Sequence, residues 1–166
     1  MTPNQKMKLR ILATVALLAS LGLITPAKAH SPQDLEQLKQ TRSCPRCDLS
    51  GASLNKLNLV GANLRDANLS GASMSQVNLS GADLSGANLA TANLTGAILT
   101  GASLTGVSLK STVLENTDLT GAGLIAANLE GANLRGAKIE FTNLRGAKFR
   151  LTTMPNGLVT PDRRYW

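Results

Sequence analysis

Large rings are almost missing from this chain. It has two Phe, one Tyr and one Trp among 166 residues, 2% aromatic in all. A conventional globular core of this length would fill its interior with more of them, so a core of that kind is excluded. Histidine occurs once, as His30, and cysteine twice. Two cysteines are too few for a closed structural zinc site. No glycine-rich phosphate loop leads from a strand into a helix, and the acids are scattered without a facing pair. Neither a catalytic residue nor a metal or cofactor site is therefore expected.

Long apolar runs are also missing, except near the start. Residues 11–24 are apolar or small without interruption. Lys6, Lys8 and Arg10 precede them, and Ala27-Lys28-Ala29 follows as a small-x-small cleavage site. This is the anatomy of a secretory signal peptide, expected over residues 1–29, with His30 as the new N-terminus. The run is short of the roughly 20 residues that cross a bilayer, so no membrane span is expected after cleavage. The leader holds four bases and no acid, so its loss takes the net charge from +7 to +3. The basic pI partly reflects the leader and says little about nucleic acid, which is not an expected partner.

What the sequence does have is a period of five. From Leu49 to Phe149, every fifth residue is large and apolar, 21 in succession without an insertion. Leu64, Leu84, Leu89, Leu94 and Leu134 are among these anchors. Two positions before each anchor stands Ala in most units, one before it Asn or Asp, and two after it Gly. An α-helix would rotate successive anchors by about 140° and scatter them. A flat strand would alternate them between faces. A chain that turns a corner every five residues aims them all inward. Four corners close a coil of 20 residues, and coils stack at about 4.8 Å. The anchors then fill the axis, and Ala fits the tight side of the square, where a larger residue overpacks. Asn or Asp bonds the bend, and Gly tolerates its dihedrals.

The units Ala62-Asn63-Leu64-Arg65-Asp66, Ala82-Asp83-Leu84-Ser85-Gly86 and Ala132-Asn133-Leu134-Arg135-Gly136 resemble the A-(D/N)-L-x-x motif of pentapeptide-repeat proteins. The resemblance covers residues 47–151. It implies an all-β solenoid, a right-handed quadrilateral β-helix of about five coils. The leader, the Cys-x-x-Cys before the repeats and the Met-Pro-Asn-Gly after them also resemble small cyanobacterial members of the periplasm or thylakoid lumen. Some members mimic B-form DNA and inhibit gyrase. That mimicry wants an acidic cytoplasmic rod, which a leader and a charge of +3 oppose.

Departures from the motif are few. Leu57 replaces Ala and is expected to bulge the first coil. Thr112, Thr117 and Thr142 put hydroxyls at the small inward position and need backbone partners there.

Open β-helix ends invite end-to-end stacking, so both need covers. Residues 30–46 read as a capping α-helix and its junction, with Ser31 as N-cap, Pro32 first and Asp34 as the capping-box acid. Leu35 and Leu38 would face the first coil. Residues 152–166 read as a turn at Pro155-Asn156-Gly157 and a tail. Tyr165 and Trp166 in that tail are either a lid or a partner contact. Cys44 and Cys47 are expected to form a local disulfide in an exported protein. Redox activity, free thiols and metal binding remain alternatives.

Stacking in steps of 20 places Lys110, Glu130 and Arg150 in one column and Glu115 beside Arg135. The last region is basic through Arg135, Lys138, Arg145, Lys148 and Arg150. The expected function is a non-catalytic exported rod, structural or protein-binding. The alternative is a binding module that uses the basic end on an acidic surface. A monomer is expected, with an end-to-end dimer as the other possibility.

Overall fold

The structure is a computed structural model and describes residues 31–162. The leader expected over residues 1–29, His30, Tyr165 and Trp166 lie outside the described residues. One helix, α1 (Pro32–Thr41), precedes a quadrilateral β-solenoid.

The five-residue period becomes a square by hydrogen bonding. Parallel bridges join residues 20 apart, from Ser43 with Asn63 to Asn133 with Thr153. They form four columns, starting at Ser43, Asp48, Ser53 and Asn58. We call these the first to fourth sides. Within a unit all five N–H groups can be satisfied. The anchor donates to the next coil, as Leu49 does to Asn68 O at 2.8 Å. So does the residue two beyond it, Gly51 to Ser70 O at 2.9 Å. The residue before the anchor donates to the previous coil, Asn68 to Cys47 O at 2.9 Å. The residue two before the next anchor closes the corner, Ala52 to Leu49 O at 3.0 Å. The residue after the anchor donates to the Asn or Asp side chain, as Ser85 does to Asp83 Oδ1 at 3.0 Å. A wall one chain thick thus leaves little backbone unpaired.

Every corner needs a left-handed residue two places after the anchor. From Gly51 to Leu151 those residues have φ between 52° and 72°. Gly supplies most of them without steric cost. Asp66 and Asn116 also tolerate the region, whereas Phe141 and Leu151 are outliers there.

The anchors are dry from Leu49 to Leu134, at most 2% exposed. Thr112, Thr117 and Thr142 donate to the carbonyls of Leu89, Leu94 and Leu119 at 2.7, 3.0 and 2.8 Å. Leu57 does not bulge the coil. It is half-buried, and the Asn58–Asn78 bridge beside it stays intact. Phe149 departs from expectation in the other direction. It is only half-buried, like Ile139 and Leu144, because no further coil lies over it.

Candidate functional site: the two ends of the solenoid

At the N-terminal end the solenoid starts at Ser43, four residues before the expected boundary. Cys44 occupies an anchor position and is fully buried. Its N–H donates to Asn63 O at 2.8 Å, and Cys47 N–H closes the corner onto Cys44 O at 3.4 Å. A disulfide joins Cys44 and Cys47 across that corner, with Cα atoms 5.4 Å apart. The corner was hard to see in the sequence because a cysteine replaces leucine and Arg46 replaces glycine.

Helix α1 is capped as expected, with Asp34 N–H donating to Ser31 Oγ at 3.2 Å. The Asp34 carboxylate, however, does not close a capping box. It accepts the Asp48 N–H at 2.8 Å, and Ser31 N–H donates to Asp48 O at 3.0 Å. Both cap residues therefore bond the edge of the first coil. Leu38 is fully buried and Leu35 packs against the core.

The C-terminal end is closed differently. The chain reverses at Pro155-Asn156-Gly157, with Gly157 N–H donating to Met154 O at 2.8 Å. Residues 158–160 then run back under the third side. Met154 N–H donates to Leu158 O and Thr160 N–H to Thr152 O, both at 2.8 Å. Thr153 and Val159 form the antiparallel bridge between them. Among the described residues only the third side is covered by a paired strand. On the other sides the N–H groups of Ile139, Phe141, Leu144, Gly146, Phe149 and Leu151 have no acceptor among the described residues.

The basic residues of this end are not equivalent. Arg150 is held by Glu130 and by Asp162, the latter at 3.2 Å, and Lys110 completes the column at 3.5 Å from Glu130. Lys138 lies 3.9 Å from Asp118. Arg135 does not meet Glu115. Its guanidinium lies over the Gly157 turn, and Glu115 accepts from Asn133 Nδ2 at 2.7 Å. Arg145 and Lys148 are exposed and have no carboxylate within ion-pair distance among the described residues.

Phe141 is the residue that sequence reasoning missed. The other residues of its corner column are Gly61, Gly81, Gly101 and Gly121, all left-handed. Phe141 takes the same conformation at φ 57° with a side chain 92% exposed. The signal was available as a bulky ring at a glycine position. Leu151, Leu158 and Val159 add exposed apolar surface to the same end, 46%, 68% and 60% exposed. A shallow cavity of about 330 Å³ beside them is lined by Phe149, Arg150, Thr160 and Pro161.

A family model described as pentapeptide repeats matches overlapping runs over residues 45–81, 72–110, 87–124 and 112–150. The chain belongs to the pentapeptide-repeat family. Among solved pentapeptide-repeat structures, Rfr23 from the cyanobacterium Cyanothece 51142 is 33% identical. That match covers 74% of this chain and 95% of Rfr23, with a TM-score of 0.69. A pentapeptide-repeat protein from Nostoc PCC 7120 is 29% identical over 74% of this chain and 78% of its own, with a TM-score of 0.27. One from the Arabidopsis thaliana thylakoid lumen is 26% identical over 69% and 73%, with a TM-score of 0.38. Among curated proteins nothing matches. Pentapeptide-repeat membership accounts for the square coil and the corner chemistry. It leaves the particular ends of this member to be explained by their own residues.

Proposed function

We propose that this pentapeptide-repeat protein is a non-catalytic, exported interaction rod whose C-terminal end meets a protein partner. The observation that carries this reading is Phe141. A ring held in solvent at a left-handed φ works against the monomer's stability. Such a residue fits a surface that is covered in use. Leu151 and Leu158 expose further apolar surface at other corners of the same end, where the last anchors are only half-buried. The leader expected over residues 1–29 supports delivery to the periplasm or thylakoid lumen, where a disulfide persists. No helix among the described residues is long and apolar enough to cross a membrane.

A second reading rests on Arg145 and Lys148. Without carboxylate partners they could steer an acidic surface to this end. Affinity capture from the native exported fraction tests both readings. The first expects a specific partner that the Phe141→Gly, Leu158→Ser double variant loses. The second expects one lost on Arg145→Glu and Lys148→Glu, and lost also as salt rises. No specific partner with any form would overturn both.

A further inference from the structure

The last coil ends on unused backbone, and that backbone has a polarity. On the first side Leu124 and Ala126 N–H donate down to the carbonyls of Asn143 and Arg145 at 2.8 and 2.9 Å, and Ala122 O accepts from Asn143 N–H at 2.9 Å. One layer on, the N–H groups of Leu144 and Gly146 and the carbonyl of Thr142 have no partner among the described residues. Donors outnumber acceptors, so this edge is electropositive before any side chain is counted. Arg145, without a carboxylate partner, adds a full charge, and Lys148 stands just past the corner. We propose that the first side of this end takes an extended acidic segment of a partner protein as one more parallel strand, with an Asp or Glu beneath Asn143 and an apolar residue beneath Leu144. The inference rests on the proposed interaction role of this end and names the chemistry of its partner.

The solenoid already contains this arrangement in filled form. Thr142-Asn143-Leu144-Arg145-Gly146 repeats the pattern of Ala62-Asn63-Leu64-Arg65-Asp66 on the same side. Beneath the earlier unit lies Ala82-Asp83-Leu84-Ser85-Gly86. Asp83 N–H donates to Ala62 O at 2.9 Å, and Asp83 O accepts from Leu64 N–H at 2.8 Å. Ser85 O accepts from Asp66 N–H at 2.9 Å. The Arg65 guanidinium donates to Asp83 Oδ2 at 2.9 Å, and Leu84 is fully buried on the axis. The acid decides the pairing. Arg135 follows Asn133 and Leu134 in the same way on the third side, but the layer beneath offers Thr153, and the guanidinium turns to Gly157 instead. An acidic strand beneath Asn143 gives Arg145 the partner that Arg65 has. Its apolar residue covers Leu144, which is only partly buried.

The other sides suit this occupant less. On the second side Arg150 is already held by Glu130 and Asp162. The fourth side carries Glu140 at the place of Arg145, which repels an acid. The third is taken by residues 158–160. Phe141 stands at the corner where the first side begins, so a strand laid along that side arrives beside its exposed ring.

A titration of the purified protein with an end-blocked peptide, followed by NMR at the backbone amides, tests this. The probe is Gly-Ala-Asp-Leu-Ser-Gly, the sequence of residues 81–86. Saturable shifts are expected at the amides of Leu144 and Gly146, with smaller changes at Ile139 and Leu151. Lys in place of the peptide's Asp should weaken binding about fivefold or more. Arg145→Glu should reverse that preference, which a merely misfolded variant could not do. An N-methyl group on the peptide's Asp removes the donor to Thr142 O and should abolish binding, whereas a contact made by charge alone would survive it. No saturable shift overturns the proposal, as do shifts centred on another side, equal binding of the Asp and Lys peptides, or binding that tolerates the N-methyl group. So does binding that appears only when the chain is stopped after Asp162, because the tail is then the occupant. If the peptide does not bind and a partner lost with Phe141→Gly, Leu158→Ser is still captured, this inference falls and the interaction role stands.

Discussion

The two ends of the solenoid pose the same problem and solve it unequally. At the N-terminal end the first anchors, Leu49, Leu54 and Leu59, are at most 2% exposed. At the C-terminal end the last ones, Ile139, Leu144 and Phe149, are only partly buried. The difference is not the amount of chain available. A helix brings an apolar face, Leu35 and Leu38, across the open axis, and its first turn bonds the coil edge through Ser31 and Asp34. A hairpin brings backbone pairing to one side and leaves the axis open. Closing a β-helix requires cover for both the edge and the core, and only the helix gives both.

Truncation should expose this contrast most clearly. Leu38→Ala should cost about 2–5 kcal/mol in denaturant unfolding, as a fully buried leucine does. Leu144→Ala should cost less than that, because part of its surface is already in water. Equal losses would mean that the two ends are equally closed and that the contrast is wrong. Asp34→Asn should cost about 1–2 kcal/mol by weakening the acceptor of the Asp48 N–H. Hydrogen exchange should rise in α1 and at Asp48, and not at residues 139–149.

Phe141→Gly should act in the opposite direction at the other end. Relief of the left-handed strain should stabilise the monomer by about 1 kcal/mol, read as a higher melting temperature at low concentration. A lower one would show that the ring is packed in the monomer.

The smallest effect lies between the ends and is one of pH. Asp118 is held below the usual carboxylate range by the Thr120 hydroxyl and N–H, which outweigh burial, with Lys138 and Thr100 assisting. At Asp83 burial is the largest influence and pushes upward. The Ser85 hydroxyl and N–H, with Arg65, overcome it, and the net shift is again downward. Both groups bind protons more weakly in the fold than in the unfolded chain. The stability they contribute is present above the ordinary carboxylate range near 4 and is lost as pH falls through the lowered values. Asp118→Asn should flatten that acid limb slightly and leave neutral stability nearly unchanged. An unaltered limb would remove Asp118 from the account.

The body of the rod was legible because its information is local and repeated. Each five-residue unit states the inward positions again, so a departure such as Leu57, Ile98 or Val113 cannot shift the phase set by its neighbours. The corner angle, the inward threonines and the Lys110, Glu130, Arg150 column followed from that phase. The ends were legible only in outline. Ser31, Pro32 and Pro155-Asn156-Gly157 announced a helix start and a turn, because those signals act within a few residues.

By itself the sequence determined the period, the interior of the shaft and the nearness of Cys44 to Cys47. The tertiary structure alone decided that Asp34 reaches Asp48, that Arg135 lies over Gly157 and that Phe149 stays half wet. It also decided that the chain turns back beneath the third side. These outcomes depend on residues that meet once, across a long stretch of chain, with no repetition to fix them. At a terminus there is no next coil to impose the rule.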